Sequence, residues 1–305
     1  MEPARSMISV GGVACTLWTW TSSDVPRGLA VIFHGLGAHA RFPSVRVGAE
    51  ALAQRGYIVV APDFPGHGES EGLRGFIYSS DALEEVGLAA VSAAREGRPM
   101  LPLFLLGSSM GGAIALQVAL KLGDNVSGVV LLAPMLAPAA STSARLLLGV
   151  LSYTPLCRLA VIPSSATDNR AQYADPAILS EVERDALAYK GALRLGSAAA
   201  VLDLGRRCES SCEELAAPFL CITAEREQIL GPAAREAAAR VGKLAASGGE
   251  KVLRLHRSYD ALHGLLCEPE PLRSQIVDEI VAFLTSCAAQ ASSTGTGADR
   301  AGDAA

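Results

Sequence analysis

The chain of 305 residues has no run of Lys or Arg longer than a pair, and its formal net charge is −5. A groove for a nucleic-acid backbone needs clustered positive charge, so no nucleic-acid partner is expected. Long apolar runs are also missing. The greasiest later stretch, residues 146–151 (LLLGVL), is much too short to cross a bilayer. The opening MEPARSMISVGG lacks the apolar segment of a secretory signal, which gives the expectation of a cytoplasmic protein, at most peripheral to a membrane. Cysteine occurs seven times without a tight framework of spacings, so reduced thiols are expected. Cys208 and Cys212 would share a helix face, yet no histidine pair stands near them to complete a zinc set. There is no HExxH, no P-loop lysine pattern and no internal repeat, and neither metal nor cofactor is expected.

Half of the residues are hydrophobic and 19% are charged, a composition that excludes a mainly disordered chain. From residue 28 a short apolar run, a glycine turn and a helical run recur. Residues 29–33 (LAVIF), 57–61 (YIVVA), 103–106 (LFLL) and 129–132 (VVLL) are continuous apolar runs, the pattern of strands buried on both faces of a parallel sheet. Helical stretches fall at 44–55, 81–95 and 112–122, with Asp81 and Glu84 spaced as a capping box. Residues 7–20 alternate around Gly11-Gly12 and read as a hairpin. The alternation stops near Pro138. To about Cys208 the chain is helical and irregular, broken by Pro155 and Pro163, with no convincing strand. It resumes with a strand at 219–223, a helix from Pro232, a strand at 252–255 and a closing helix at 272–284. The expected organisation is an α/β core in two parts, 1–137 and 209–287, an inserted helical segment at 138–208, and a small, polar, disordered tail at 288–305.

Three constellations could carry chemistry. Gly107-Ser108-Ser109-Met110-Gly111 is a G-x-S-x-G between an apolar run and a helical stretch, the strand–turn–helix setting of a nucleophile elbow. His34-Gly35-Leu36-Gly37 follows the first core strand. A glycine-rich loop there can offer the Leu36 N–H to an oxyanion, paired with the N–H of Met110 after the nucleophile. The same loop, with Gly35, Gly37, Ala40 and a later Asp63, also mimics a dinucleotide fingerprint. Pro43 stands where the phosphate-facing helix would have to extend, which argues against that reading. Of five histidines, only His256 and His263 follow the elbow, as the order nucleophile, acid, histidine requires. His256 ends a strand, whereas His263 lies in the loop beyond it and is the better general base.

HGLG at 34–37, APDFPGHGESEG at 61–72, LLGSSMGG at 105–112 and ALHGLLCEPE at 261–270 together resemble the monoacylglycerol lipase-like family of α/β-hydrolases, in order and spacing, from about residue 28 to 284. The resemblance implies an α/β-hydrolase fold, a mostly parallel central sheet flanked by helices, with a helical cap where the insertion falls. It implies Ser109 as nucleophile, His263 as base, the Leu36 and Met110 amides as oxyanion hole, and a structural role for His67. Ungapped matching of 219–232 (FLCITAEREQILGP) puts Glu227 where the family carries an aspartate, with Glu225 as the competing neighbour. The expected function is hydrolysis of carboxylic esters, monoacylglycerols or related lipid esters. Lysophospholipids and small phenolic or shikimate esters are the alternatives, and a non-catalytic ligand-binding homologue is the reading from another class. The aliphatic stretch 144–151 (ARLLLGVL) is either a cap helix packed on the core or a lip that touches lipid surfaces transiently.

Overall fold

In the computed structural model, which describes residues 1–22, 25–137, 140–247 and 252–295, the continuous apolar runs form the middle of an eight-stranded sheet. The strands are β1 (Ala4–Val10), β2 (Val13–Trp20), β3 (Gly28–Phe33), β4 (Tyr57–Pro62), β5 (Leu103–Ser108) and β6 (Gly128–Leu132). A separate two-stranded ladder pairs β7 (Ala160–Ile162) with β8 (Leu193–Arg194), and β9 (Phe219–Ala224) and β10 (Arg254–Tyr259) rejoin the large sheet. Its spatial order is β1-β2-β4-β3-β5-β6-β9-β10, with β1 and β2 joined in antiparallel pairings and the rest parallel.

The helices are α1 (Pro43–Gln54), α2 (Ser80–Arg95), α3 (Met110–Leu122), α4 (Thr142–Ser152), α5 (Asn169–Gln172), α6 (Pro176–Arg184), α7 (Leu195–Ser211), α8 (Pro232–Ser247) and α9 (Leu272–Gly295). Strand period explains the unbroken apolar runs, because successive side chains point to opposite faces. Leu29, Val31 and Phe33 of β3 pack into the layer of α2, α3 and α8, while Ala30 and Ile32 pack into the layer of α1 and α9. Leu103 and Leu105 alternate in the same way with Phe104 and Leu106, as do Val129 and Leu131 with Val130 and Leu132. Each such Val, Leu or Phe contributes about 1.5–3 kcal/mol of burial.

The segment between β6 and β9 is bolted to the core at one end and not at the other. Arg46 of α1 pairs with Glu181 of α6 at 2.8 Å, His39 Nε2 with Asp185 Oδ2 at 2.8 Å, and the Ser80 hydroxyl donates to Asp203 of α7 at 2.6 Å. Helix α4 instead packs on α7 and turns Leu146, Leu147 and Val150 to solvent, 72%, 60% and 61% exposed. Leu148 is half-buried. All seven cysteines are free thiols, and every one except Cys157 in this segment is buried.

Several expectations need correction. The start of α2 is capped by Ser79, whose hydroxyl accepts the Ala82 N–H, because Asp81 and Glu84 are drawn off to Arg207 of α7 and Glu84 also to Lys121 of α3. The insertion contains the ladder β7–β8, where no strand was expected, and α7 runs on past 208. The start of the insertion at 138 lies outside the described residues. Helix α9 runs eight residues beyond 287 to Gly295, since Ala288, Ala289 and Ala291 favour helix; of the expected disordered tail, 296–305 lies outside the described residues.

Candidate active site

Strand β5 delivers Ser109 and α3 begins immediately after it. Between them Ser109 takes φ 57° and ψ −119°, a left-handed conformation that non-glycine residues rarely adopt. The turn holds it by close backbone approach. A methyl group on Gly107 would stand 2.0 Å from the Gly111 carbonyl oxygen, and one on Gly111 would stand 2.0 Å from that of Phe33. The Ser109 carbonyl accepts the N–H groups of Gly112 and Met135, each at 3.0 Å. In a trans peptide the following N–H points the opposite way, so the Met110 amide faces away from those donors. At the first position of α3 it has no carbonyl a turn back within the helix.

The loop after β3 passes beside this turn, with a methyl built on Gly35 standing 3.6 Å from Ser109 Cβ. His34 is wholly buried. Its Nδ1–H donates to the Gly35 carbonyl at 2.8 Å and its Nε2 accepts the Phe64 N–H at 3.2 Å. Burial first, and the His67 ring second, hold His34 well below the usual imidazole range, so it is a neutral ring with its tautomer fixed by its partners. His67 donates from Nδ1 to the Pro65 carbonyl at 3.0 Å, and burial pushes it down to about 4. Asp63 spends both oxygens on the protein itself, accepting from the Ala40 and Glu69 amides and from Trp18 Nε1. It is buried, and α1 starts only at Pro43, so neither half of a dinucleotide site is present.

His263 lies in the loop after β10, and Glu227 in the loop after β9. The two meet, His263 Nδ1–H donating to Glu227 Oε2 at 2.7 Å, with both side chains buried. The other carboxylate oxygen accepts the amides of Ile229 and Leu230 at 2.7 and 3.1 Å. Burial alone would raise the Glu227 carboxyl, but the bond and charge of His263 and those two amides outweigh it and hold the carboxyl below its ordinary value. Glu225 is exposed. Arg226 pairs with neither glutamate; it reaches Asp260 at 2.8 Å and Glu268 at 3.8 Å in the histidine's loop. Buried Glu268 also accepts the Leu262 amide at 2.5 Å, so Arg226 and Glu268 clamp the acid's loop to the histidine's. His256 lies within β10, bonds Thr223 at 3.1 Å and lines a different cavity.

Ser109, His263 and Leu36 line one cavity of about 50 Å³, together with Asn169, Gln172 and Tyr173 from the inserted segment. Sequence reasoning missed those last three and Glu268. The irregular insertion carried no pattern that placed its polar residues, whereas Glu268 stood inside the quoted ALHGLLCEPE and a spacing of five from His263 was its only signal. Among the described residues no group of three His, Cys, Asp or Glu side chains is placed to hold a metal ion, and no helix is long and apolar enough to cross a membrane.

Residues 24–270 match the family model described as serine aminopeptidase, S33. The chain is 30% identical over 228 residues to the monoacylglycerol lipase of Mycolicibacterium smegmatis, covering 74% of this chain and 79% of that protein. To human monoglyceride lipase it is 27% identical over 253 residues, 82% and 80% of the two chains. The crystal structure of Paleococcus ferrophilus monoacylglycerol lipase superposes with a TM-score of 0.70 at 23% identity, over 94% of this chain and all of that one.

Proposed function

Since the chain belongs to the serine aminopeptidase S33 family and has the α/β-hydrolase fold, we propose that it is a serine hydrolase of lipid carboxylic esters, with monoacylglycerols as the leading substrate class. The reading rests above all on the buried His263–Glu227 hydrogen bond at the edge of the cavity that Ser109 lines. With Nδ1–H committed to Glu227, the lone pair of Nε2 is the base. His263 takes the Ser109 proton as Oγ attacks the ester carbonyl, and Glu227 stabilises the imidazolium that forms. The Leu36 and Met110 amides receive the developing oxyanion. The tetrahedral intermediate collapses to an acyl-enzyme as His263 protonates the departing alcohol. Water, deprotonated by the same ring, then releases the acid.

The inserted segment acts as a cap in this reading. Exposed Leu146, Leu147 and Val150, continued by Tyr153, Leu156 and Leu159, form an apolar face suited to transient contact with dispersed lipid. The test is hydrolysis of a long-chain monoacylglycerol by the purified protein, combined with fluorophosphonate labelling. Release of fatty acid and labelling at Ser109 are expected, and Ser109→Ala should abolish both, lowering turnover on the order of 10⁶-fold. Turnover that survives in Ser109→Ala would overturn the reading.

A further inference from the structure

Resting on the reading that the Leu36 amide receives the oxyanion, we propose that the cap segment 185–189 positions that amide through a chain of peptide groups, with Asp185 as the anchor. The Gly35 carbonyl and the Leu36 N–H belong to one peptide plane and point in opposite directions, so whatever fixes the carbonyl aims the amide. Two donors fix it: His34 Nδ1–H at 2.8 Å and the Ala38 N–H at 3.2 Å. The Ala38 N–H in turn shares a peptide with the Gly37 carbonyl, and that carbonyl accepts the Tyr189 N–H from the cap at 2.7 Å. The backbones are in direct contact there, since a methyl on Gly37 would stand 2.8 Å from the Tyr189 carbonyl oxygen. A line of hydrogen bonds thus runs from Tyr189 through two peptides to the oxyanion donor, and each link polarises the next.

Asp185 holds the head of that line. It caps the C-terminal end of α6, and its Oδ1 accepts the Leu187 and Ala188 amides at 2.8 and 3.3 Å, forming the turn that presents Tyr189. Its Oδ2 meets His39 Nε2 at 2.8 Å, and His39 directly follows Ala38. One carboxylate therefore secures both the cap turn and the far end of the oxyanion loop. Arg74 donates to the Leu187 carbonyl and Lys190 Nζ to the Asp185 carbonyl, which fixes the turn from outside. Burial would raise the Asp185 carboxyl, yet the bond and charge of His39 and the two amides hold it below its ordinary value, so it stays an acceptor. The Arg46–Glu181 pair also docks α6 on the core, but it lies outside this line.

The experiment compares two ligands of one carbon skeleton. A long-chain trifluoromethyl ketone is attacked by Ser109 Oγ, the proton passing to His263 and the carbonyl oxygen becoming a hemiketal oxyanion. The corresponding secondary alcohol binds without forming that bond. Asp185→Ala should lower kcat, and the affinity for the ketone by the same factor, on the order of 10- to 100-fold, while KM and the affinity for the alcohol hold. Asp185→Asn, which keeps an acceptor for both amides, should recover most of the loss. Arg46→Ala should leave the ketone-to-alcohol ratio unchanged. If Asp185→Ala does not fold, Asp185→Ser takes its place, keeping one amide acceptor and losing His39. Equal losses for ketone and alcohol, or an equal effect of Arg46→Ala, would reduce the segment to simple docking and overturn the proposal. A wild-type protein that fails to bind the ketone more tightly than the alcohol overturns the serine-hydrolase reading instead.

Discussion

Glu227 engages both carboxylate oxygens, one with His263 and one with two backbone amides of its own loop. That division of labour suits the role proposed for it, since the loop amides hold one oxygen and leave the other to the histidine. Glu227→Gln keeps the shape and removes the charge that, in the proposed mechanism, stabilises the imidazolium. It should lower kcat by up to roughly 10⁴-fold. Exposed Glu225, replaced by Gln, should change kcat little. Steady-state kinetics of the two variants decide the assignment, and the reverse ranking would move the acid to Glu225.

At the scale of the element, the turn between β5 and α3 stores strain at Ser109, whose φ of 57° is one of two positive values among the described non-glycine residues. Ser109→Gly and Ser109→Ala both remove the hydroxyl, but only glycine relaxes the backbone. The glycine variant should be more stable than the alanine one by about 1 kcal/mol in urea unfolding. Helix α4 offers a second test. Changing exposed Leu146 and Leu147 to Ser should cut activity on emulsified lipid far more than on a soluble short-chain ester, and equal losses would return the helix to a packing role. The elements differed sharply in how legible they were. The central strands declared themselves because a residue run buried on both faces must be apolar throughout. The loops carrying Leu36 and Ser109 were placed by where such strands end, whereas His263 follows the half-buried edge strand β10 and was singled out by chain order. The inserted segment left no such trace. Its strand pair is short, its helices bury only a stripe, and Tyr173 and Asn169 reach the cavity through long-range packing that no local period encodes. The Ser79 cap was hidden for a similar reason, since partners distant in sequence claimed Asp81 and Glu84.

At the scale of the whole molecule, two of the buried histidines, His34 and His67, titrate lower in the folded protein than in the unfolded chain. The unfolded state binds more protons below about pH 6.5, so stability is full above that pH and falls on acidification. For His67 the loss continues to about pH 4, where the native ring also protonates, and amounts to about 3 kcal/mol. Glu227 and Asp185, both held below ordinary carboxylate values, add their losses only further into acid. Urea midpoints should therefore drop between pH 7 and pH 5, and His67→Asn, which retains a donor for the Pro65 carbonyl, should flatten that slope. The distribution of thiols has a practical side. Burial raises Cys15 to about 11 and Cys208, Cys221 and Cys287 to about 12, which keeps them out of reach of alkylating reagents in the folded state. Only Cys157, packed against α7 in the inserted segment, is partly open. A maleimide dye should attach there once per molecule without any engineering, as intact mass would verify. The native chain thus comes with its own fluorescent handle on the segment inserted between β6 and β9.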